Sequence, residues 1–301
     1  MSEIKVNILY EFNDQPWGGG NQFLKTLKKD FQKTGSYTNS IKGADIVLFN
    51  SHHIKPELIS AKKSYPSKIF VHRVDGPIRL YNDLSDIRDS IVYNSNNELA
   101  NATIFQSDWS MKKNIEMGML DNKPKAVILN GSDLEIFKPK KQKKENVKTR
   151  IISTSFSPNM KKGFAVYQML DENLDFNKFE YVFAGANPVK FKNINHFGVL
   201  DSARLSEELR LSDIFITASE NDPCSNSLIE ALNSELTCFA LNSGGHTEIL
   251  NNKDMLFDSP DQLLSMVNNY NKSIKSKFNR SSRKAADEYM SFFHDLLNQT
   301  T

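Results

Sequence analysis

Cysteine is scarce in this 301-residue chain, with two residues, Cys224 and Cys238, no CxxC pair and no histidine at zinc-ligand spacing. That excludes a disulfide scaffold and a structural zinc, and reduced thiols are expected. No apolar run approaches the roughly 18–20 residues that span a bilayer. Residues 1–10 lack the basic start and long apolar stretch of a signal peptide, so a cytoplasmic protein is the expectation. Nor is one sign of charge in excess: 38 Lys and Arg against 36 Asp and Glu give a net +2. That is too little for nucleic-acid binding by bulk electrostatics, so no nucleic-acid partner is expected and any phosphate recognition must be local. What is present is a folded chain's composition, 39% hydrophobic and 25% charged, in a length that can form two domains with separate cores.

Short β-like runs alternate with helical patterns from the start, as in βαβ units with a mostly parallel sheet. Residues 4–10 read as a strand, followed by a glycine loop and a segment whose apolar positions Phe23, Leu24, Leu27 and Phe31 have helical spacing. Residues 44–49, 68–72, 90–93 and 102–105 read as further strands, and residues 127–129 lead into the turn-rich Asn130-Gly131-Ser132-Asp133. A basic run containing Lys138, Lys140, Lys141, Lys143, Lys144, Lys148 and Arg150 reads as a solvated linker, with contact to anionic lipid or RNA as the other reading of such charge. The pattern then restarts: strands at 150–153, 179–184, 214–217 and 237–241, helices at 163–170, 205–211 and 227–232, and mostly helix from 263 onward. The expected organisation is a first α/β domain over 1–140, a basic linker over 141–149, a second α/β domain over 150–280, and a C-terminal helix over 281–301.

Three constellations can carry chemistry. Gly18, Gly19, Gly20 and Asn21 stand between a strand and a helix, where absent side chains let backbone N–H groups approach an anion at the positive helix end. The spacing is neither GxGxxG nor a P-loop, and three glycines also suit a flexible turn. Lys161, Lys162 and Gly163 open a helix after the first strand of the second half; a lysine there can neutralise a diphosphate, although paired lysines are also ordinary surface residues. Third, Asp222 and Glu230 flank seven residues running from a turn into a helix, with Asn226, Ser227 and Leu228 between them. Carboxylates accept hydrogen bonds from vicinal hydroxyls, and a nucleotide sugar suits two acids facing one crevice on either side of a helix start. A surface helix capped by Ser225 or Asn226, with Glu230 exposed, fits the same spacing.

Taken in order along the chain, these residues resemble the retaining glycosyltransferases of GT-B fold, in particular glycosyltransferase family 4, over nearly the whole length. Asn130-Gly131-Ser132-Asp133 with Phe137-Lys138-Pro139 is similar to the segment that ends the family's acceptor domain, Lys162-Gly163 to its Lys-Gly motif, and Asp222-x7-Glu230 to its Glu-x7-Glu motif. Residues 201–213, with apolar Leu205, Leu209 and Leu211, are similar to the stretch before its donor-site strand. Ser243-Gly244-Gly245-His246-Thr247-Glu248 is similar to the Ser-Gly-Gly…Glu segment that follows, and Gly18 to Asn21 to the first domain's glycine loop.

The resemblance implies an α/β protein of two Rossmann-like domains with parallel sheets facing across a cleft. It implies Lys162 on the donor diphosphate, with Lys161 beside it, Glu230 on the ribose and Asp222 on the transferred sugar. Asn226, Ser227 and Leu228 would supply the helix start, and the glycine loop would close from the other domain. Of the residues after one first-domain strand, either His72 or Asp75 matches the family's histidine. Strand alternation separates His72 from Arg73 and Asp75; Arg73 and Asp75 are favoured, with a structural ion pair as the competing reading. The activity implied is transfer of a sugar from a nucleotide-diphosphate donor to an acceptor hydroxyl, glycan, lipid-linked or small-molecule, with retention of configuration. No metal and no cofactor other than the donor substrate is expected, in keeping with the absence of an Asp-x-Asp pair. Peripheral membrane contact is compatible with such acceptors. Two departures stand out: Asp222 is one methylene shorter than the usual Glu, and Ser157 occupies the place of a common basic residue. They keep a second reading in view, a non-catalytic sugar-nucleotide-binding or scaffold protein of the same fold. An epimerase of this fold and a dinucleotide oxidoreductase are further rivals, the latter lacking GxGxxG. The last helix would cross back onto the first domain or pack on the second.

Overall fold

The computed structural model describes residues 4–15, 17–139, 147–270 and 278–300. Lys140, Lys141, Lys143 and Lys144 of the basic run lie outside the described residues. In chain order the elements are β1 (Val6–Ile8), α1 (Gly19–Lys33), β2 (Ile46–Asn50), α2 (Pro56–Ser64), β3 (Ile69–Val74), α3 (Ile78–Tyr81), α4 (Arg88–Leu99), β4 (Ala102–Phe105), α5 (Asp108–Glu116) and β5 (Lys125–Val127). There follow β6 (Thr149–Ser155), α6 (Phe164–Asn173), β7 (Phe179–Gly185), β8 (Asn195–His196), α7 (Ser202–Leu211), β9 (Ile214–Thr217), α8 (Asn226–Asn233), β10 (Thr237–Leu241), α9 (His246–Ile249), β11 (Leu256–Phe257), α10 (Pro260–Asn268) and α11 (Ser282–Thr300). The chain divides into two compact units. One comprises residues up to Asn13, Phe23–Gly131 and Ser282–Thr301; the other comprises Asp14–Gln22 and Ser132–Ser281. The glycine loop is thus counted with the second unit, and the division falls between Gly131 and Ser132, where the sequence reading drew it near 140.

In the first unit the sheet order is β1-β2-β3-β4-β5, all parallel. A further parallel bridge joins Val6 to Tyr37, on the edge of β1 away from β2: Val6 donates its N–H to Ser36 O at 2.7 Å and accepts from Thr38 N at 2.9 Å. The chain therefore leaves β1 through α1 toward one side and returns to the other for β2, so the strand order reverses at β1. Strands β2 and β3 are buried along their whole length, as apolar runs covered on both faces should be. One face packs Phe23, Leu24, Leu27 and Phe31 of α1 together with Ala285, Ala286, Tyr289, Phe293 and Leu296 of α11; the other packs Leu58 and Ala61 of α2. The last helix thus belongs to the first unit's core.

In the second unit the order is β11-β10-β9-β6-β7-β8, again all parallel. Relabelled along the unit this is 3-2-1-4-5-6, the order of a dinucleotide-binding Rossmann sheet, with its reversal between β6 and β9. Asp201 caps α7 by accepting from Arg204 N at 2.8 Å, and Ser259 caps α10 ahead of Pro260, both favoured helix starts.

Two sequence expectations are corrected. Residues 90–93 form the first part of α4, not a strand: Val92 turns into the core while Ile91 stays exposed, and Asp89 at the helix start accepts from Ile78 N at 2.6 Å. The strand expected at 127–129 lies two residues earlier, where Thr103 and Phe105 of β4 set its register. Phe293→Ala should destabilise the first unit by about 3–5 kcal/mol, the cost of emptying a buried phenyl site. Urea unfolding checks this; a loss below about 1 kcal/mol contradicts the placement of α11.

Candidate active site

In an open α/β sheet the loops after the strands on either side of the order reversal form the natural ligand crevice. In the second unit these are the loops after β6 and β9, and each is fixed by its own chemistry. After β6, Asn159 accepts from Lys161 N at 2.9 Å and starts a single 3₁₀ turn, Met160–Lys162. Gly163 ends that turn at φ +91°, where a Cβ would overlap Ala218 of the β9 loop, so only glycine fits. Lys161 O accepts from Glu220 N at 2.8 Å. After β9, Asn221 adopts φ +54°, a conformation asparagine tolerates, and donates its N–H to Ser243 Oγ at 2.9 Å. Gly244 (φ +62°) sits directly beneath, its absent Cβ only 2.7 Å from Asp222 N, and Gly245 N donates to Asp222 O at 2.8 Å.

These loops bring Lys162 and Asp222 together, Nζ to Oδ2 at 3.2 Å, both partly shielded from water. Burial alone would raise the Asp222 carboxyl, but Lys162, His246 and the Cys224 N–H outweigh it and hold it below the usual range. His246 is fully buried. Its Nδ1 lies 2.9 Å from Leu241 O, which makes that nitrogen the donor. Nε2 is then an acceptor, and no described residue donates to it. Burial also pushes His246 down, against the pull of Asp222.

Ser225 caps α8, accepting from Leu228 N at 3.4 Å. Asn226 donates Nδ2 to Gly19 O at 2.7 Å, which ties the glycine loop to the helix start. A Cβ on Gly19 would stand 3.0 Å from that amide, so the close approach depends on glycine. Glu230 lies one helical turn beyond Asn226 on the same stripe. It is half-buried, not exposed as a capped surface helix would have it. Burial pushes its carboxyl up to about 8.

Lys162, Asp222, Gly19 and Asn226 are thus drawn to one end of the second unit's sheet. Gly18 and Gly20 are half-exposed beside Gly19, and Ser227 is half-buried with Oγ 3.2 Å from Ser225 Oγ. Leu228 and Asn21 stand differently. The Leu228 side chain is buried in the core and its N–H is already held by Ser225. Asn21 is 1% exposed, its N–H directed to Gly18 O at 3.0 Å.

Arg73 and Asp75 belong to a separate network in the first unit. Fully buried Arg73 donates to Asn50 Oδ1 at 2.6 Å, Asp75 Oδ1 at 3.0 Å and Asn130 Oδ1 at 2.8 Å, and lies over the Phe23 ring. Gln106 bonds Asp75 and accepts from Asn130 at 3.1 Å. Asp75 keeps part of its carboxylate accessible. His72 is fully buried, stacked on Phe49 and 3.0 Å from Ser51 O, with burial pushing it down to about 3, which marks it as a core residue. His52 and His53 follow β2 at the reversal of this sheet and escaped the sequence reading. Burial pushes both down, His52 to about 4. Their signal was readable: two adjacent histidines directly after a strand.

No family model matches the sequence, and no curated protein sequence matches it. Solved structures do. Sucrose-phosphate synthase from Thermosynechococcus elongatus superposes with a TM-score of 0.72 at 10% identity over 99% of this chain and 98% of that one. HepE of Anabaena, in complex with UDP-glucose, gives 0.68 at 12% identity over 99% of both chains. A glycosyltransferase from Rickettsia africae gives 0.63 at 17% identity over 95% and 84%. At these identities the likeness is one of fold. The chain has the GT-B fold, with an α/β architecture of two parallel sheets, and its structural neighbours are GT-B glycosyltransferases.

The Glu230 carboxyl gives a signed prediction. Between about pH 4.5, where the unfolded chain ionises, and about 8, where the folded group does, the native state binds more protons, so this residue makes stability fall as pH rises. Urea midpoints of Glu230→Gln should lose that component of the slope between pH 5 and 8. Parallel curves for the two proteins would show that Glu230 is solvated.

Proposed function

We propose that the chain is a nucleotide-sugar glycosyltransferase whose donor binds at the β6/β9 reversal of the second unit. The observation that carries the reading is the Lys162–Asp222 pair, 3.2 Å apart, set beside the glycine-loop contact of Asn226 at the start of α8. A cation, exposed glycine backbone and a helix N-terminus are what a diphosphate needs. The carboxylates are what sugar hydroxyls need. HepE, solved with UDP-glucose, supports UDP-sugars as the first donors to try.

In this reading the diphosphate draws the Lys162 ammonium away from Asp222, and Lys161 adds a second cation where Ser157 leaves one missing. Freed from the ion pair, Asp222 accepts hydrogen bonds from the sugar hydroxyls, its shorter reach than Glu bringing the sugar closer to the β9 loop. Glu230 bonds the ribose, while Gly18–Gly20, Asn226 and Ser227 line the phosphates. Negative charge that grows on the leaving diphosphate meets fixed N–H dipoles and an ammonium in partly dry surroundings, where they act strongly. The acceptor hydroxyl attacks the anomeric carbon from the leaving-group side. Its oxygen forms the new C–O bond as the bond to phosphate breaks, and its proton passes to the departing phosphate oxygen, so configuration is retained. Lysine and helix dipoles fill the role that Mg²⁺ plays elsewhere, and no separate nucleophile is required. The Arg73–Asp75 network of the first unit is assigned to hydroxyl binding, with Arg73 holding the Asp75 carboxylate in place.

The test is titration calorimetry with UDP and UDP-sugars, followed by product analysis. Glu230→Ala should weaken nucleotide binding by about 1–3 kcal/mol, the range for leaving a buried hydrogen-bonding group without its partner. Unchanged affinity removes Glu230 from the site. Lys162→Ala should lower turnover at least 10²-fold, the order expected for one transition-state donor, while leaving the protein folded. Donor binding without turnover in the unaltered protein, across a broad set of acceptors, would favour the non-catalytic reading that Asp222 and Ser157 keep in view.

A further inference from the structure

We propose that Trp17 and Phe156 form an aromatic wall that recognises the apolar C–H face of the transferred hexose. This rests on the nucleotide-sugar reading above and adds a determinant of which sugar is held. Both residues lie in the second unit. Trp17 is 50% exposed and Phe156 44% exposed, and neither belongs to the apolar core that α6, β7 and β9 build. Their ring centroids are 5.9 Å apart with planes inclined by 50°. The two tilted rings thus lie side by side, with about half of each residue accessible. Met160, in the same β6–α6 connection, is likewise half-exposed.

The wall is continuous with the phosphate cradle. A Cβ on Gly18 would stand 3.9 Å from Phe156 Cδ1, and the next residue, Gly19, is bonded to Asn226 at the start of α8. Phe156 is also the first residue after β6, at the sheet reversal itself. A charged diphosphate gains nothing from aromatic rings in contact with water. A pyranose does, because one face is a patch of C–H groups while its edge carries hydroxyls, so the rings take the face and Asp222 takes the edge. The nucleobase is directed elsewhere: Glu230, which holds the ribose, lies a full turn along α8 from Asn226, away from the loop.

The experiment compares the affinities of UDP with those of UDP-glucose, UDP-galactose and UDP-N-acetylglucosamine in the unaltered protein and in Trp17→Ala, Phe156→Ala and Trp17→Phe. Both residues are exposed, so unfolding midpoints should stay within about 1 °C, which serves as the folding control. For the best-bound UDP-hexose, the ratio of its Kd to that of UDP should rise about tenfold in each alanine variant. UDP affinity itself should stay within twofold, and Trp17→Phe should restore most of the loss. If the pair only latches the glycine loop, UDP and UDP-hexose weaken together and the ratio stays fixed, which overturns the proposal. Affinities indifferent to both alanine variants overturn it as well. Failure of the unaltered protein to bind UDP or any of the three UDP-hexoses removes the nucleotide-sugar reading, and the wall with it.

Discussion

An ion pair between Lys162 and Asp222 organises one end of the second unit's sheet, and it exists because two glycines have no side chains. Gly163 lets the β6 loop lie against Ala218, and Gly244 lets the Ser243–Gly245 turn lie against Asp222. With those approaches made, a lysine and an aspartate sixty positions apart in sequence meet at 3.2 Å. A partly buried pair contributes little net stability, since desolvation offsets most of the attraction. Its value is poise, because each charge is held partly dry beside the other. A ligand that is anionic at one end and rich in hydroxyls at the other satisfies both groups at once.

The fold places this pair where parallel sheets admit ligands. Strand order reverses between β6 and β9, and both residues stand on the loops after those strands. The first unit repeats the logic in a shorter sheet, its reversal at β1 made visible by one bridge to Tyr37. There the strand ends carry His52, His53 and Asp75, the last of them held by fully buried Arg73.

Much of this was legible in the sequence, for physical reasons that differ by element. Runs such as Ile46 to Phe49 are apolar throughout, as strands covered on both faces are, and Lys162 and Asp222 follow the strand-like runs 150–153 and 214–217, which places them on the loops after β6 and β9. The helix at residues 90–93 was misread because Ser90, Ile91, Val92 and Tyr93 have strand-like side chains, whereas burial of Val92 alone and the Asp89 contact with Ile78 select a helix. The allegiance of the glycine loop could not be read, since it depends on the bond from Asn226 to Gly19, 207 positions apart. The orphaned Nε2 of His246 and the raised carboxyl of Glu230 are likewise products of tertiary burial. His246 was quoted within a motif, but nothing in its neighbours along the chain signals a fully buried ring.

The central claim is that the Lys162–Asp222 pair is a ground state from which the donor diphosphate takes the lysine. A crystal structure of the protein with UDP tests it most directly. The account predicts Lys162 Nζ within hydrogen-bond distance of a β-phosphate oxygen and no longer on Asp222 Oδ2, with Glu230 on the ribose. UDP seated elsewhere, or seated there with the ion pair intact and Glu230 unengaged, would contradict it.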